Sequence, residues 1–314
     1  MISSSPHLRD SSTTRRIMID VVIALLPAVI FGAYFFGLRT LLVIAVTVLA
    51  CVASEYIVRK IMKREETIGD FSAVVTGLLL ALNLPPTIPL WIAAVGGVIA
   101  IVIVKQLFGG LGQNFMNPAL GARVILLISW AGYMTGWVAP GTDAVSSATP
   151  LGILKEGAEA SAAALPGYLD LFIGNVGGCI GETSVLALLI GAIYLILRRV
   201  ITLEIPLTFI GTVALFTWIF GGNTLFTGDF VYHILSGGLM LGAFFMATDY
   251  VTSPVTRKGK IIMGIGCGLL TAVIRLYANY PEGVSFAIII MNVVVPLIDR
   301  YTVPKSFGGE KAIG

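Results

Sequence analysis

Charge is what this 314-residue sequence has least of. Asp, Glu, Lys and Arg together make up 12% of it, about half the share of about 25% in soluble domains. Histidine occurs twice, at His7 and His233, and cysteine three times, at Cys51, Cys179 and Cys267, with no C-x-x-C pair. That scarcity excludes haem or metal ligation by histidine and an iron–sulfur or zinc site made by this chain alone. No G-x-G-x-x-G motif follows a strand-like run, and no polar stretch is long enough for a dinucleotide-binding domain. The formal net charge of +3 carries no nucleic-acid signal, because the basic residues gather at the ends of apolar runs.

Those runs dominate what is present. The chain is 57% hydrophobic, with a mean hydropathy of +0.95. The pattern predicts an all-α polytopic membrane protein of about ten transmembrane helices. The spans are read at 17–37, 40–58, 70–84, 88–107 and a fifth ending near Met134, then 183–197, 203–220, 231–247, 261–279 and 284–299. With both termini cytoplasmic, each dense basic cluster falls inside: Arg15-Arg16, Arg59 to Arg64, Arg198-Arg199, Arg257 to Lys260, and Arg300 with Lys305. The outward loops then keep only Arg39 and Lys155, as the positive-inside rule asks. The long loop 136–182 is expected on the extracytoplasmic side.

Several residues stand out against the apolar background. Asp70 is expected to cap the third helix, which Pro85-Pro86 stops. Lys105, near the inner end of the fourth span, reads most simply as an anchor reaching the interface; a functional role is the alternative. In the stretch 108–124, Gly109, Gly110, Gly112 and Pro118 forbid a regular helix, and Asn114 and Asn117 offer amides to a bound ligand or serve as helix caps. Arg123 falls inside the fifth span, where a charge costs about 2.5–3.5 kcal/mol on insertion scales. It must therefore face a cavity or ligand, or pair with a neighbouring helix. In the long loop, Ser146, Ser147 and Thr149 present hydroxyls among small neighbours, and Pro150 holds Thr149 extended and approachable. On residues alone this cluster is also an ordinary loop.

A weak repeat is visible. Thr76-Gly-Leu-Leu-Leu-Ala81 resembles Gly237-Gly-Leu-Met-Leu-Gly242 at an offset of 161 residues, and each leads to a proline break. Spans five apart cross in opposite directions, so the expected architecture is two inverted five-helix repeats with broken helices, which build ligand sites near the midplane. Residues 1–135 form the first repeat, 136–182 the loop and 183–314 the second repeat, within one membrane domain.

Three stretches together carry a resemblance: Ser5-Pro-His-Leu-Arg-Asp10 with Met18 to Ala28, Gly112-Gln-Asn-Phe-Met-Asn-Pro-Ala119, and Asp143 to Pro150 with its Ser-Ser-Ala-Thr-Pro. The chain resembles the D subunits of Rnf-type ferredoxin:NAD oxidoreductases, a family similar to the B subunits of sodium-pumping NADH:quinone reductases. The likeness covers essentially the whole sequence. It implies FMN joined through its phosphate to the threonine of an S-x-A-T stretch, which maps onto Thr149. Ser147 stands where the family usually has Gly, which leaves Ser146 and Ser147 as rival acceptors. The resemblance also implies a non-covalent riboflavin inside the bundle, for which Asn114, Asn117 and Arg123 are candidates. It further implies a six-subunit complex in a prokaryotic cytoplasmic membrane, with a flavin-carrying G subunit and an NADH-binding C subunit. The complex would couple ferredoxin:NAD electron transfer to movement of H+ or Na+, and this chain would relay electrons. The rival function is a solute channel or transporter of urea-channel-like architecture, which shares the inverted repeat and needs no flavin.

Overall fold

The computed structural model describes residues 13–141, 149–156, 165–222, 224–278 and 283–303. Among these residues the chain is all helical. Four helices are long and apolar enough to cross a membrane: α1 (Thr14–Phe36), α2 (Arg39–Ile61), and two near the C-terminus, Arg257–Tyr277 and Val284–Thr302. Rows of large apolar side chains on their outer faces, such as Ile30, Leu42, Leu49 and Leu297, are exposed, as expected of surfaces that lipid covers. The protein is a multi-pass membrane protein.

The remaining helices are shorter and interrupted. After α2 come α3 (Ser72–Leu82), α4 (Leu90–Val98) running on into a π-helical stretch Ile99–Gln106, α5 (Pro118–Ser129) and α6 (Ala131–Met134). The segment α7 (Pro150–Glu156) carries Thr149 at its head, and α8 (Tyr168–Ile173) follows. The second half contains α9 (Val185–Leu197), α10 (Glu204–Phe220), α11 (Phe230–Leu235), and α12 (Leu239–Leu241) continuing as a π-helical turn Gly242–Met246. It closes with α13 (Arg257–Tyr277) and α14 (Val284–Thr302).

Local chemistry sets several of these ends. The Asp70 carboxylate accepts from the Ser72 N–H (2.7 Å) and hydroxyl (2.6 Å) at the head of α3. Asn117 is the N-cap of α5: its Oδ1 accepts from the Ala119 and Leu120 N–H groups at 3.0 and 3.3 Å. Pro118 takes the first helical position, where a missing N–H costs nothing.

The two halves pack through small residues and buried polar contacts. Helix α1 lies against α9, where Gly191 leaves no room for a Cβ beside the Ala24 carbonyl. At the same interface the buried Asp20 accepts from the Tyr194 hydroxyl (2.8 Å) and pairs with Arg198 (3.2 Å). Helix α5 lies against α14, α2 against α3 and α4, and α10 against α13.

The break after α3 is closed by chain from far away. The Gly181 N–H donates to the Leu82 carbonyl (2.8 Å) and the Ile180 N–H to the Leu84 carbonyl (3.0 Å). These carbonyls lost their helical partners at Pro85-Pro86, and irregular backbone inside a membrane protein survives only if such groups are satisfied within the protein. The end of the 136–182 loop therefore does not stay outside the bundle. Its residues Cys179, Ile180 and Glu182 are buried in the core.

Candidate functional site

Three polar centres interrupt the apolar core. The first is built around Thr149. Pro150 opens α7 and Thr149 caps it: the hydroxyl accepts from the Gly152 N–H (3.1 Å) and the carbonyl from the Ile153 N–H (2.9 Å). The sequence suggested an approachable loop hydroxyl, but Thr149 is only 6% exposed. Capping turns the side chain toward the first-turn amides and under cover. It lines a small pocket, about 20 Å3 in volume, with Gly177, Gly178, Glu182, Ser236 and Gly237. Ser146 and Ser147 lie outside the described residues.

The second centre is the buried pair Arg123–Glu182, 3.0 Å apart. Arg123 also donates to the Asn83 side-chain oxygen (2.9 Å) and the Ser285 hydroxyl (2.8 Å), and reaches the Cys179 sulfur (3.5 Å). Arg123 thus pairs with neighbouring segments, and it does so buried in the core rather than near the interface. Glu182 gave no signal in the sequence, since it sits at a loop end. It lines the Thr149 pocket, so the ion pair adjoins that pocket.

The third centre is a larger, mostly apolar cavity of about 80 Å3. Its walls are mostly apolar, including Met18, Leu79, Phe244 and Phe245, with Asn114, Asn117, Lys105 and Asp249 as polar points. The structure thus brings Asn114 and Asn117 together at one cavity but leaves Arg123 out of it. Both amides also have structural duties. Asn114 donates to the Met116 carbonyl (3.0 Å), and Asn117 donates to the Met246 carbonyl (3.3 Å) while capping α5. Capping, the alternative left open for Asn117, is therefore present alongside its place in the cavity wall.

Lys105 requires a correction. It does not snorkel to an interface: it is 1% exposed. Its ammonium donates to both oxygens of Glu55 (3.0 Å each) and to the Ser72 hydroxyl (2.6 Å). Glu55 accepts in addition from Gln106 (2.8 Å) and Thr67 (3.1 Å), with Arg59 at 3.8 Å. The residue lies in the π-helical stretch, a geometry frequent at functional sites, and is turned toward α2 rather than outward.

Asp229 heads α11 and accepts from the Tyr232 N–H (3.0 Å) and the Tyr168 hydroxyl (2.6 Å). The hydrogen bond to this carboxylate pushes the Tyr168 phenol above its usual range. The contact ties α8 to the helix that borders the Thr149 pocket. Among the described residues, no group of three His, Cys, Asp or Glu side chains is placed to hold a metal ion.

A family model described as the NQR2, RnfD, RnfE family matches residues 1–308. The chain belongs to this family. It is 53% identical over 313 residues, 99% of this chain and 96% of the relative, to the D subunit of the Na+-translocating ferredoxin:NAD+ oxidoreductase complex of Acetobacterium woodii. It is 49% identical over 319 residues, again 99% and 96% of the two chains, to the D subunit of the proton-translocating ferredoxin:NAD+ oxidoreductase complex of Clostridium ljungdahlii. The D subunit of an ion-translocating oxidoreductase complex of Salmonella newport is 37% identical over 350 residues, 99% of each chain.

Proposed function

We propose that this chain is the D-type membrane subunit of an ion-translocating ferredoxin:NAD oxidoreductase complex, and that it relays electrons through FMN esterified to Thr149. The observation that carries the reading is full-length similarity to relatives named as that subunit, combined with a threonine that lines a partly glycine-walled pocket. A flavin accepts and releases electrons one or two at a time, and the chain's own residues bind, orient and shield it. Gly177, Gly178 and Gly237 form the part of the pocket wall that carries no side chains, beside Leu171, Val176 and Leu235. The Glu182 carboxylate would repel a phosphodiester, but Arg123 at 3.0 Å compensates its charge.

The larger cavity is the place for the second, non-covalent flavin, riboflavin. Its apolar walls suit a planar ring system, and Asn114, Asn117 and Lys105 line it. The Lys105–Glu55 pair fixes the lysine beside that space. Family membership favours this relay over the solute channel. The relatives from Acetobacterium and Clostridium carry different ions in their names at nearly equal identity, so overall similarity does not choose between Na+ and H+.

Ten crossings in two inverted repeats, with the termini inside and Thr149 outside, complete the reading. Two contacts support the repeat. Arg123 meets Ser285, 162 positions away, and Asn83 meets Met246, 163 positions away, close to the offset of 161 between the Thr76 and Gly237 stretches. Residues near a twofold axis touch the neighbourhood of their own counterparts, and here the residues met lie one and two positions from Val284 and Phe244, the counterparts at that offset. Partner subunits would supply the ferredoxin and NADH chemistry, including the flavin-carrying G subunit and the NADH-binding C subunit.

The test is a denaturing gel of the chain co-expressed with a flavin transferase. Flavin fluorescence must survive denaturation and disappear in Thr149→Ala. Acid extraction of the wild type must release a second, unlinked flavin. A protein that matures fully yet shows no fluorescence on the gel would refute the proposal.

A further inference from the structure

An apolar surface beside the Thr149 pocket is left exposed. Helix α8 has two unlike faces. Leu171, 1% exposed, packs in a buried cluster with Val176 and Tyr232 and lines the Thr149 pocket. Tyr168, Leu169, Phe172 and Ile173 are exposed, Leu169 by 71%. Two neighbouring residues and the two that follow them four positions on share one side of a helix.

The turn between α10 and α11 adds to this surface. Leu225 and Phe226 are exposed there. Phe226 has a φ of +65°, a left-handed backbone that large side chains rarely adopt. Its ring meets that of Trp218 edge-on at 5.2 Å. The turn folds back on the end of α10: the Phe226 and Gly228 N–H groups donate to the Ile219 and Trp218 carbonyls at 3.1 Å each. A strained position thus keeps an aromatic ring on the outside of the protein. The Tyr168 hydroxyl, donating to Asp229 at 2.6 Å, joins α8 to this turn.

Helix α10 fixes the level of the surface. Its 17 residues span about 25 Å at 1.5 Å per residue, close to the hydrocarbon thickness of about 30 Å. One end is polar, where Glu204 pairs with Arg257 at 3.3 Å. The other end, at Phe220, therefore lies at the opposite membrane boundary. Leu207, Leu215 and Trp218 are exposed along the helix between the two ends. The turn sits on the Phe220 end, and the Tyr168–Asp229 contact holds α8 at the same level. The chemistry matches that level. No lysine or arginine occurs between Leu165 and Leu197 or between Val200 and Thr256, so attraction to anionic headgroups plays no part. Aliphatic side chains beside Tyr and Trp, whose rings are apolar with one polar edge, make up the composition of a membrane–water boundary.

We propose that Tyr168, Leu169, Phe172, Ile173, Leu225 and Phe226 form a lipid-binding platform inserted at the headgroup–acyl boundary. Phospholipid covers it as a continuation of the lipid-covered side of α10. Because Leu171 on the opposite face of α8 lines the Thr149 pocket, the platform holds one wall of that pocket at the membrane surface. It does so whatever Thr149 carries. A neighbouring subunit seated on the same face is the rival occupant.

Two measurements test the platform. In the first, the full chain in phosphatidylcholine vesicles carries a nitroxide at Leu169→Cys or Phe226→Cys, both exposed positions. The native Cys51, Cys179 and Cys267 are buried and stay unlabelled. Collisions with oxygen, which concentrates in lipid, are compared with collisions with a water-soluble nickel chelate. Oxygen should be favoured several-fold more than for a label at Lys63→Cys, as for one at Leu42→Cys on the outer face of α2. Nickel access equal to that at Lys63→Cys overturns the proposal.

The second measurement needs no substitution. The assembled complex is placed in phosphatidylcholine vesicles containing a phospholipid with a diazirine near the ester end of its acyl chain. After irradiation, mass spectrometry should find lipid adducts between Tyr168 and Ile173. Adducts elsewhere on the chain but none on α8 mean that a neighbouring subunit covers the face, and overturn the proposal.

Discussion

Replacing Lys105 by Met tests the buried ionic centre most sharply. Methionine keeps most of the length and apolar bulk of lysine but removes the ammonium. Glu55 is 0% exposed and would lose the donor that spans both its oxygens at 3.0 Å. Gln106 and Thr67 would remain on one oxygen, and Arg59 would stay at 3.8 Å. Breaking a buried pair by removing one partner costs about 3–5 kcal/mol, because the other charge is left uncompensated. At about 2 °C per kcal/mol for a chain of this size, the midpoint of thermal unfolding should fall by about 6–10 °C. The assay is the monodisperse fraction remaining on size exclusion after heating in detergent. The double variant Lys105→Met with Glu55→Gln should recover most of the loss, since no charge is stranded. A single variant within about 2 °C of the wild type would refute the reasoning, because a lysine reaching water contributes at most about 1 kcal/mol.

Other outcomes follow from the same geometry. Gly181→Ala would place a Cβ 2.6 Å from that of Leu82; overpacking of about 1–3 kcal/mol should lower the midpoint in the same heating assay. Asn117→Ala removes two cap hydrogen bonds and should cost about 1 kcal/mol, a shift of about 2 °C. Leu79→Trp should fill the larger cavity, abolishing the acid-extractable flavin while gel-stable fluorescence at Thr149 persists. Arg123→Met removes the cation 3.0 Å from the buried Glu182 and should destabilise the fold by up to about 3–5 kcal/mol, with partial recovery on adding Glu182→Gln.

Hydropathy made the long elements legible. The run 17–37 is α1, 40–58 is α2, 203–220 is α10 and 284–299 is α14, each within a few residues. Proline and glycine also marked the breaks: α3 ends before Pro85-Pro86, and the expected span 231–247 is divided at Gly237. The polar centres were only half visible. Arg123 announced itself as a charge inside an apolar run, but its partner Glu182 looked like a loop end. Lys105 was misread because its partner is Glu55, fifty residues earlier, and a sequence shows neither the π-helical turn nor which way it points the side chain. Thr149 stood out as a hydroxyl that Pro150 holds extended, but the same residues also read as an ordinary loop, and only the resemblance gave it a role.

Everything in the functional account converges on one side-chain oxygen. The most direct measurement is mass spectrometry of the peptide containing Thr149, taken from complex matured with its flavin transferase. The account predicts that this peptide carries FMN in phosphoester linkage at Thr149, with Ser146 and Ser147 unmodified. An unmodified peptide in fully active complex, or FMN on another residue, would contradict it.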